Sequence, residues 1–180
     1  MDRRNLESGD TLIEVLLSII ILGAVIVGSI TIMNRGLSAG QNAVEHSQVR
    51  LTINGQVEML RKVRDDYAVD PTSDNGQTWQ AVVSGIPASA TISYDETCDK
   101  NQPGTDFYMT QTSTRIESQL YNDTQPTTVP SPGQGIWIEA QKSNGNLQPY
   151  VDFVVRACWQ GPGTGQQRSV TSVRLYDPSR

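Results

Sequence analysis

The sequence predicts an α+β fold, in which one long amino-terminal helix packs on a carboxy-terminal antiparallel β-sheet. Two observations carry this prediction. An apolar run near the start of the chain gives way to polar sequence with a helical period, and no proline interrupts it before Pro71. Further along, the period changes to two, and short apolar segments alternate with stretches rich in glycine, proline and asparagine. A helix that covers one face of a sheet satisfies both patterns.

The apolar segment 12–33 is long enough to cross the hydrocarbon core of a bilayer as a helix. Glu14 is the one ionisable residue within it, and three hydroxyl side chains can bond to carbonyls of the helix itself: Ser18, Ser29 and Thr31. The segment is apolar on every side, which is improbable for the core helix of so small a protein. We therefore predict that residues 12–33 insert into membrane lipid.

After Met33 the chain keeps a helical rhythm to about residue 68. Its apolar residues recur mostly at intervals of three, four or seven, with one step of five, which predicts a single amphipathic stripe. The stripe consists of Leu37, Val44, Val49, Ile53, Val57, Leu60 and Tyr67. It is expected to cover the sheet.

Residues 69–80 are interpreted as a linker loop because they are rich in Asp, Asn, Ser and Gly. Beyond them, segments with a period of two predict strands. The clearest pair, 150–159 and 168–177, is joined by a glycine-rich connection that suits a long hairpin. The other predicted strands are 80–86, 88–94, 106–122 and 136–140.

The two cysteines, Cys98 and Cys158, belong to no C-x-x-C pair and lie far from the single histidine, His46, so the spacing argues against a zinc site. In an exported protein an even pair is best read as one disulfide, and the alternative is two separate buried thiols. The net charge of −5 argues mildly against nucleic-acid binding. The short basic segment 61–64 is interpreted as a solvated helix face.

The sequence "GDTLIEVLLSIIILG", residues 9–23, resembles the class III signal of type IV pilins and pseudopilins. The resemblance implies that a prepilin peptidase cuts after Gly9, that the new amino terminus at Asp10 is a candidate for methylation, and that Glu14 pairs with the terminal amine of a neighbouring subunit. In this family a carboxy-terminal disulfide often staples the head, a role that fits Cys98 and Cys158. A buried carboxylate that meets such an amine gains most in low dielectric.

The family most often has an apolar residue where this chain has Asp10, and the leader's Arg3 and Arg4 are offset by two acids. Both departures favour a minor or specialised subunit. The resemblance then divides the chain into five parts: a leader, 1–9; a transmembrane and filament-core helix, 10–33; an amphipathic helix, 34–68; the linker, 69–80; and a β-rich head, 81–180.

The predicted function is that of a structural subunit of a pilus-like or type II secretion-like filament. The short amino terminus is expected in the cytoplasm and the head outside the membrane. Neither catalysis nor a cofactor is expected, and His46 is interpreted as a surface residue. The acidic segment around Asp95, Glu96, Asp99 and Asp106 leaves calcium binding open. The alternatives are a membrane-anchored surface-binding protein that never polymerises, and a tip receptor for adhesion or DNA uptake.

Overall fold

The computed structural model describes residues 10–92, 98, 106–120, 135–143, 149–161 and 165–178. The chain divides into two compact units, Met1–Ala43 and Val44–Arg180. Helix α1, Asp10–Val69, runs from the first unit into the second. The predicted α+β class is confirmed, since the second unit combines helical segments with a five-stranded antiparallel sheet.

Helix α1 ends where a proline restricts the backbone. The N–H of Asp70 still donates to the carbonyl of Asp66 at 2.8 Å, but the helix does not continue beyond Val69. Pro71 disfavours the helical conformation of the residue before it. The predicted end near residue 68 is therefore confirmed to within one residue.

The buried stripe of α1 is shorter than the sequence predicted. Leu37 and Val44 remain 56% and 57% exposed, whereas the buried apolar residues of the helix are Val49, Ile53, Val57, Leu60 and Val63. The five-residue step from Val44 to Val49 explains the difference, because it turns about 140° around a helix with 3.6 residues per turn. Residues on either side of that step therefore belong to different faces.

A second helix, α2, spans Asp74–Gly85, where the sequence suggested a linker followed by a strand at 80–86. Ser73 caps it, since its Oγ accepts a hydrogen bond from the N–H of Gly76 at 3.1 Å. Its buried residues Trp79 and Val82 have helical spacing rather than a period of two. Ile86, directly after the helix, continues the same buried face. The residues described from the predicted strand 88–94, namely 88–92, are not in a strand either.

The strands follow in the order β2-β1-β3-β4-β5 across the sheet, and every neighbouring pair is antiparallel. Their bounds are β1 Phe107–Gln111, β2 Ile116–Leu120, β3 Ile136–Lys142, β4 Tyr150–Gly161 and β5 Gly165–Tyr176. The predicted hairpin is confirmed as β4 and β5, which pair along their whole length. The predicted strand at 136–140 is confirmed as β3, and segment 106–122 contains the hairpin of β1 and β2.

Strands β1 and β3 pair only at Phe107 and Ile138, and a side chain from α1 completes β1 beyond that point. The amide of Gln56 accepts from the N–H of Met109 at 2.7 Å and donates to its carbonyl at 3.0 Å. Gln56 is only 6% exposed, so two backbone groups that would otherwise be buried without partners are satisfied. This contact fixes α1 against strand β1.

The sheet buries side chains on both faces, as strand alternation allows. One face shares a continuous core with α1 and α2, and its fully buried side chains include Met109, Ile138, Phe153, Val155 and Trp159. The buried residues that point to the other face of β3 and β4 are Trp137, Glu139, Val154, Arg156 and Cys158.

Candidate membrane anchor and assembly residues

The amino-terminal part of α1 presents an unusually large exposed apolar surface. Every described side chain from Leu12 to Leu37 is exposed, and the large apolar ones between Leu12 and Met33 keep 51–74% of their accessible surface. Soluble proteins rarely leave so long a continuous apolar surface uncovered. By length and composition, this helix is able to span a membrane.

The hydroxyl groups in this segment are satisfied within the helix. Ser18 Oγ donates to the carbonyl of Glu14 at 2.8 Å, and two further hydroxyls bond in the same i to i−4 manner: Ser29 to Val25 at 2.8 Å and Thr31 to Val27 at 2.9 Å. This arrangement was predicted from the sequence and is confirmed. It removes the cost of exposing these donors to lipid.

Glu14 lies four residues after the start of α1, and its side chain is exposed. Among the residues that the structure describes, no hydrogen bond or ion pair engages its carboxylate. Asp10 is the first residue of the helix, and Gly9 lies outside the described residues. Cleavage after Gly9 and pairing of Glu14 with an amine therefore stay predictions.

Cys98 and Cys158 form the disulfide that the sequence favoured, with their Cα atoms 6.0 Å apart. Cys158 lies in β4 and is 4% exposed, on the sheet face that α1 does not cover. The bridge therefore ties position 98, which is distant in sequence, to the longest strand pair of the head. Two separate thiols, the alternative reading, are excluded.

A buried ion pair occupies that same face of the sheet. Arg156 Nε lies 2.7 Å from Glu139 Oε1, and the two side chains are 8% and 7% exposed. The indole N–H of Trp137 donates to the same Glu139 oxygen at 3.1 Å. Sequence reasoning missed this group, although a charged residue within each of two apolar strands was a usable signal. The strand register that brings the two residues together could not be read from the sequence.

Asp66 joins α1 to α2 and to the sheet edge. Asn75 Nδ2 donates to its carboxylate at 2.7 Å and Lys62 Nζ at 3.0 Å. These two hydrogen bonds, that from Asn75 first, lower the pKa of Asp66 below its ordinary value. The other side of the Asn75 amide accepts from the N–H of Ile116 at 2.9 Å, and Thr78 Oγ1 donates to the carbonyl of the same residue at 2.7 Å. Helix α2 thereby closes the outer edge of β2 where the strand begins.

His46 is partly buried rather than a simple surface residue. Its ring meets that of Trp159 edge-on, with centroids 4.9 Å apart, and the indole N–H donates to Glu45 Oε2 at 3.2 Å. Trp159 itself has no accessible surface. The buried indole is thus held by two adjacent residues of α1, an arrangement that supports packing and suggests no chemistry.

An exposed cluster lies at the open end of the β4–β5 hairpin. Arg174 donates to both carboxylate oxygens of Asp152, at 2.7 and 2.9 Å, and its guanidinium lies 3.9 Å from the ring centroid of Tyr150. The bond to Asp152 raises the pKa of Arg174 above its already high ordinary value. Tyr176 meets Tyr150 edge-on across the strands. Cross-strand contacts of this kind hold the hairpin register.

The basic segment 61–64 is matched by carboxylates. Arg61 Nη1 lies 2.7 Å from Glu58 Oε1, and Lys62 Nζ lies 3.0 Å from Asp66 Oδ2. Arg64 Nη2 lies 2.6 Å from Asp65 Oδ1. Neutralising pairs of this kind leave little net positive charge for a phosphate backbone. The geometry supports the interpretation of this segment as a solvated helix face.

Of the four acids considered for calcium, only Asp106 is described, and it is 4% exposed next to the start of β1. In the described part of the chain, no group of three or more His, Cys, Asp or Glu side chains is arranged to hold a metal ion. Comparisons with protein families, with curated proteins and with solved structures found no match to this chain.

Proposed function

We propose that this protein is a structural subunit of a type IV pilin-like filament, a minor pilin or pseudopilin. The observation that supports this proposal most is that the two halves of helix α1 differ in burial. The part from Leu12 to Met33 is apolar and uncovered, and the part from Val49 to Val63 is built into the head. Such a helix can pass from lipid into a bundle of identical helices while its head remains folded.

In this proposal the protein is inserted by its first helix, with the short amino terminus in the cytoplasm and the head outside. A prepilin peptidase removes residues 1–9, which leaves an amine at Asp10. The other filament subunits then replace lipid around the apolar part of α1. Function follows from polymerisation and from what the head touches, and no reaction is catalysed.

Glu14 supplies specificity to this assembly. An ionised carboxylate within an apolar bundle is tolerated only if it meets a cation or a strong donor. The free amine of a neighbouring subunit meets that need and also fixes the axial register of the two helices. The exposed carboxylate, which no described residue engages, supports this role.

The proposal is tested by following Glu14→Ala in cells that have the peptidase and the assembly machinery. Leader removal should proceed, but incorporation into sheared filaments should fall by about 10-fold or more, the value of one lost charge-assisted hydrogen bond. Mass spectrometry of the mature amino terminus and immunoblots of the sheared fraction measure the two steps.

Ser18→Ala is the matched control, one helical turn away. Its hydroxyl bonds only to the carbonyl of Glu14 in the same helix, so incorporation should stay normal. Gly9→Val should leave the leader attached. If the wild-type protein retains Met1 in such cells, a tethered surface protein that never polymerises replaces the proposal.

A further inference from the structure

Two charged side chains bracket the apolar helix at a distance that matches a bilayer. Residues 15–34 form an uninterrupted stretch of 20 without an ionisable side chain, with Glu14 before it and Arg35 after it. Because the helix is continuous between them, their Cα atoms are separated along its axis by about 32 Å, at 1.5 Å per residue. The hydrocarbon core of a bilayer is about 30 Å thick.

Neither charge has a competing use among the residues that the structure describes. Both side chains are exposed, and within the described residues neither forms an ion pair or a side-chain hydrogen bond. The two other charged residues that follow soonest, Glu45 and Arg50, lie 10 and 15 positions beyond Arg35. On the carboxy-terminal side, no other charged residue lies near enough to set the depth of the helix. On the amino-terminal side, Asp10 lies four positions before Glu14 and is farther from the apolar stretch.

We infer that residues 15–34 are the stretch of α1 that crosses the hydrocarbon core, with Glu14 and Arg35 in the two headgroup layers and Arg35 bound to lipid phosphate. The inference rests on the membrane insertion proposed above, but not on polymerisation. A guanidinium binds a phosphodiester through two parallel N–H···O bonds and is the side chain best suited to this contact.

Other depths of the same helix are less favourable. A stretch that starts at Leu12 would gain two apolar residues, Leu12 and Ile13, but would draw Glu14 into the hydrocarbon. On insertion scales, an acid at the centre of a span costs several times what two such residues return. A stretch shifted the other way would bury Arg35, at a similar cost. Only the depth bounded by both charges avoids both costs.

This placement changes the role of Glu14 before assembly. While the subunit waits in the membrane, the carboxylate lies at a polar boundary and needs no protein partner. It has to cross or enter an apolar environment only when the subunit leaves for the filament. Arg35 opposes movement in the other direction, so the pair holds the helix at one depth.

The test measures water access to single thiols along the full chain in phosphatidylcholine vesicles. Both native cysteines are in the disulfide, so a cysteine introduced at an exposed position is the one free thiol. Reaction with iodoacetamide requires the thiolate and therefore water. The thiols introduced by Ile13→Cys and Leu37→Cys should react, and those introduced by Ile20→Cys and Met33→Cys should be protected.

The charges are then changed one at a time. Adding Arg35→Leu should slow the reaction at position 37 by about 10-fold or more, because apolar sequence now continues outward. Arg35→Lys should keep the wild-type rate, since a lysine also stays in the headgroup layer. In the same way, Glu14→Leu should protect position 13 and Glu14→Asp should not.

The possible outcomes separate the inference from the proposal on which it rests. Reactive thiols at positions 20 and 33 would mean that the helix does not insert, and the proposed function would fail. If positions 20 and 33 were protected but the ends of the protected stretch did not move when Glu14 or Arg35 was changed, the inference alone would be overturned. If the effect of Arg35→Leu depended on the protein-to-lipid ratio, the partner of Arg35 would be another copy of the chain, which also overturns it.

Discussion

At the scale of single residues, Glu139 and Arg156 show why opposite charges within two apolar strands belong together. Each side chain would be costly to bury by itself, and the register of β3 against β4 brings them within 2.7 Å on one sheet face. Burial of such a pair can cost as much as the attraction returns. The pair therefore contributes more to the choice of register than to net stability.

Removing one member should be far more damaging than removing an exposed ion pair. Glu139→Gln removes the negative charge from a pair whose side chains are only 8% and 7% exposed, and we expect a loss of about 3–5 kcal/mol in the free energy of unfolding. Glu58→Gln, which breaks the exposed pair with Arg61, should cost less than about 1 kcal/mol. Urea denaturation of the two variants compares them, and equal losses would contradict the buried role of the pair.

At the scale of elements, Asp66 links α1 to α2 through the hydrogen bond that it accepts from Asn75. The hydrogen bonds from Asn75 and Lys62 hold the pKa of Asp66 below its ordinary value of 3.8. A carboxyl whose pKa is lowered by folding contributes stability above its unfolded pKa and loses it as the pH falls through the folded pKa. This contribution is therefore complete at neutral pH and disappears in acid below pH 3.8.

Asn75→Ala removes the hydrogen bond that does most to lower the pKa of Asp66, while the Asp66 carboxylate itself remains. We expect the variant to be less stable than the wild type at pH 7, and the gap between their free energies of unfolding to narrow as the pH falls through 3.8 and below. Thermal unfolding followed by circular dichroism at several pH values measures the gap. A gap that stays constant across this range would show that Asn75 acts only through Ile116.

The disulfide should stabilise the head through the length of the loop that it closes. Cys98 and Cys158 are 60 residues apart, for which the chain-entropy treatment gives about 4 kcal/mol. Reduction with dithiothreitol should lower the free energy of unfolding by about 2–4 kcal/mol. A Cys98→Ser/Cys158→Ser double variant should start at the reduced value and show no further change on addition of the reductant.

The elements that could be predicted from the sequence are those whose apolar pattern repeats over a long continuous segment. Helix α1 and the β4–β5 hairpin have long periodic patterns, and their extents were predicted closely. Helix α2 was missed because its 12 residues include two adjacent valines, which also fit a strand. The better signal for a helix at this position was Ser73, which caps it. The contacts of Gln56 with Met109 could not be predicted, because they depend on where β1 and β3 separate.

The apolar helix and its internal hydrogen bonds were predictable for a similar reason. The apolar run, Glu14 and the serine and threonine side chains all lie within one continuous helix, where sequence spacing gives spatial spacing directly. The buried group of Glu139, Arg156 and Trp137 needs strand register, which pattern alone does not supply. The disulfide was favoured by cysteine count and depended on the expected export of the head.

At the scale of the whole molecule, the proposed function gives the two units different tasks. Among the described residues of the first unit, no apolar side chain is buried, and the buried core of the second unit begins at Val49. The second unit, Val44–Arg180, contains both members of the disulfide, the sheet and the helix residues that cover it. Stability and membrane attachment should therefore be separable.

A fragment of residues 44–180 should fold without the apolar helix. We expect it to be soluble without detergent and to unfold within a few degrees of the full chain in the same detergent buffer, because the core from Val49 onward is retained. A fragment of residues 57–180 is the control: it loses Val49, Ile53 and Gln56, and with them the cover over Met109, so it should not unfold cooperatively. Circular dichroism melting of both fragments provides the comparison. If the longer fragment also lacked a cooperative transition, the head would need the anchor helix for its stability, and the division into two tasks would be wrong.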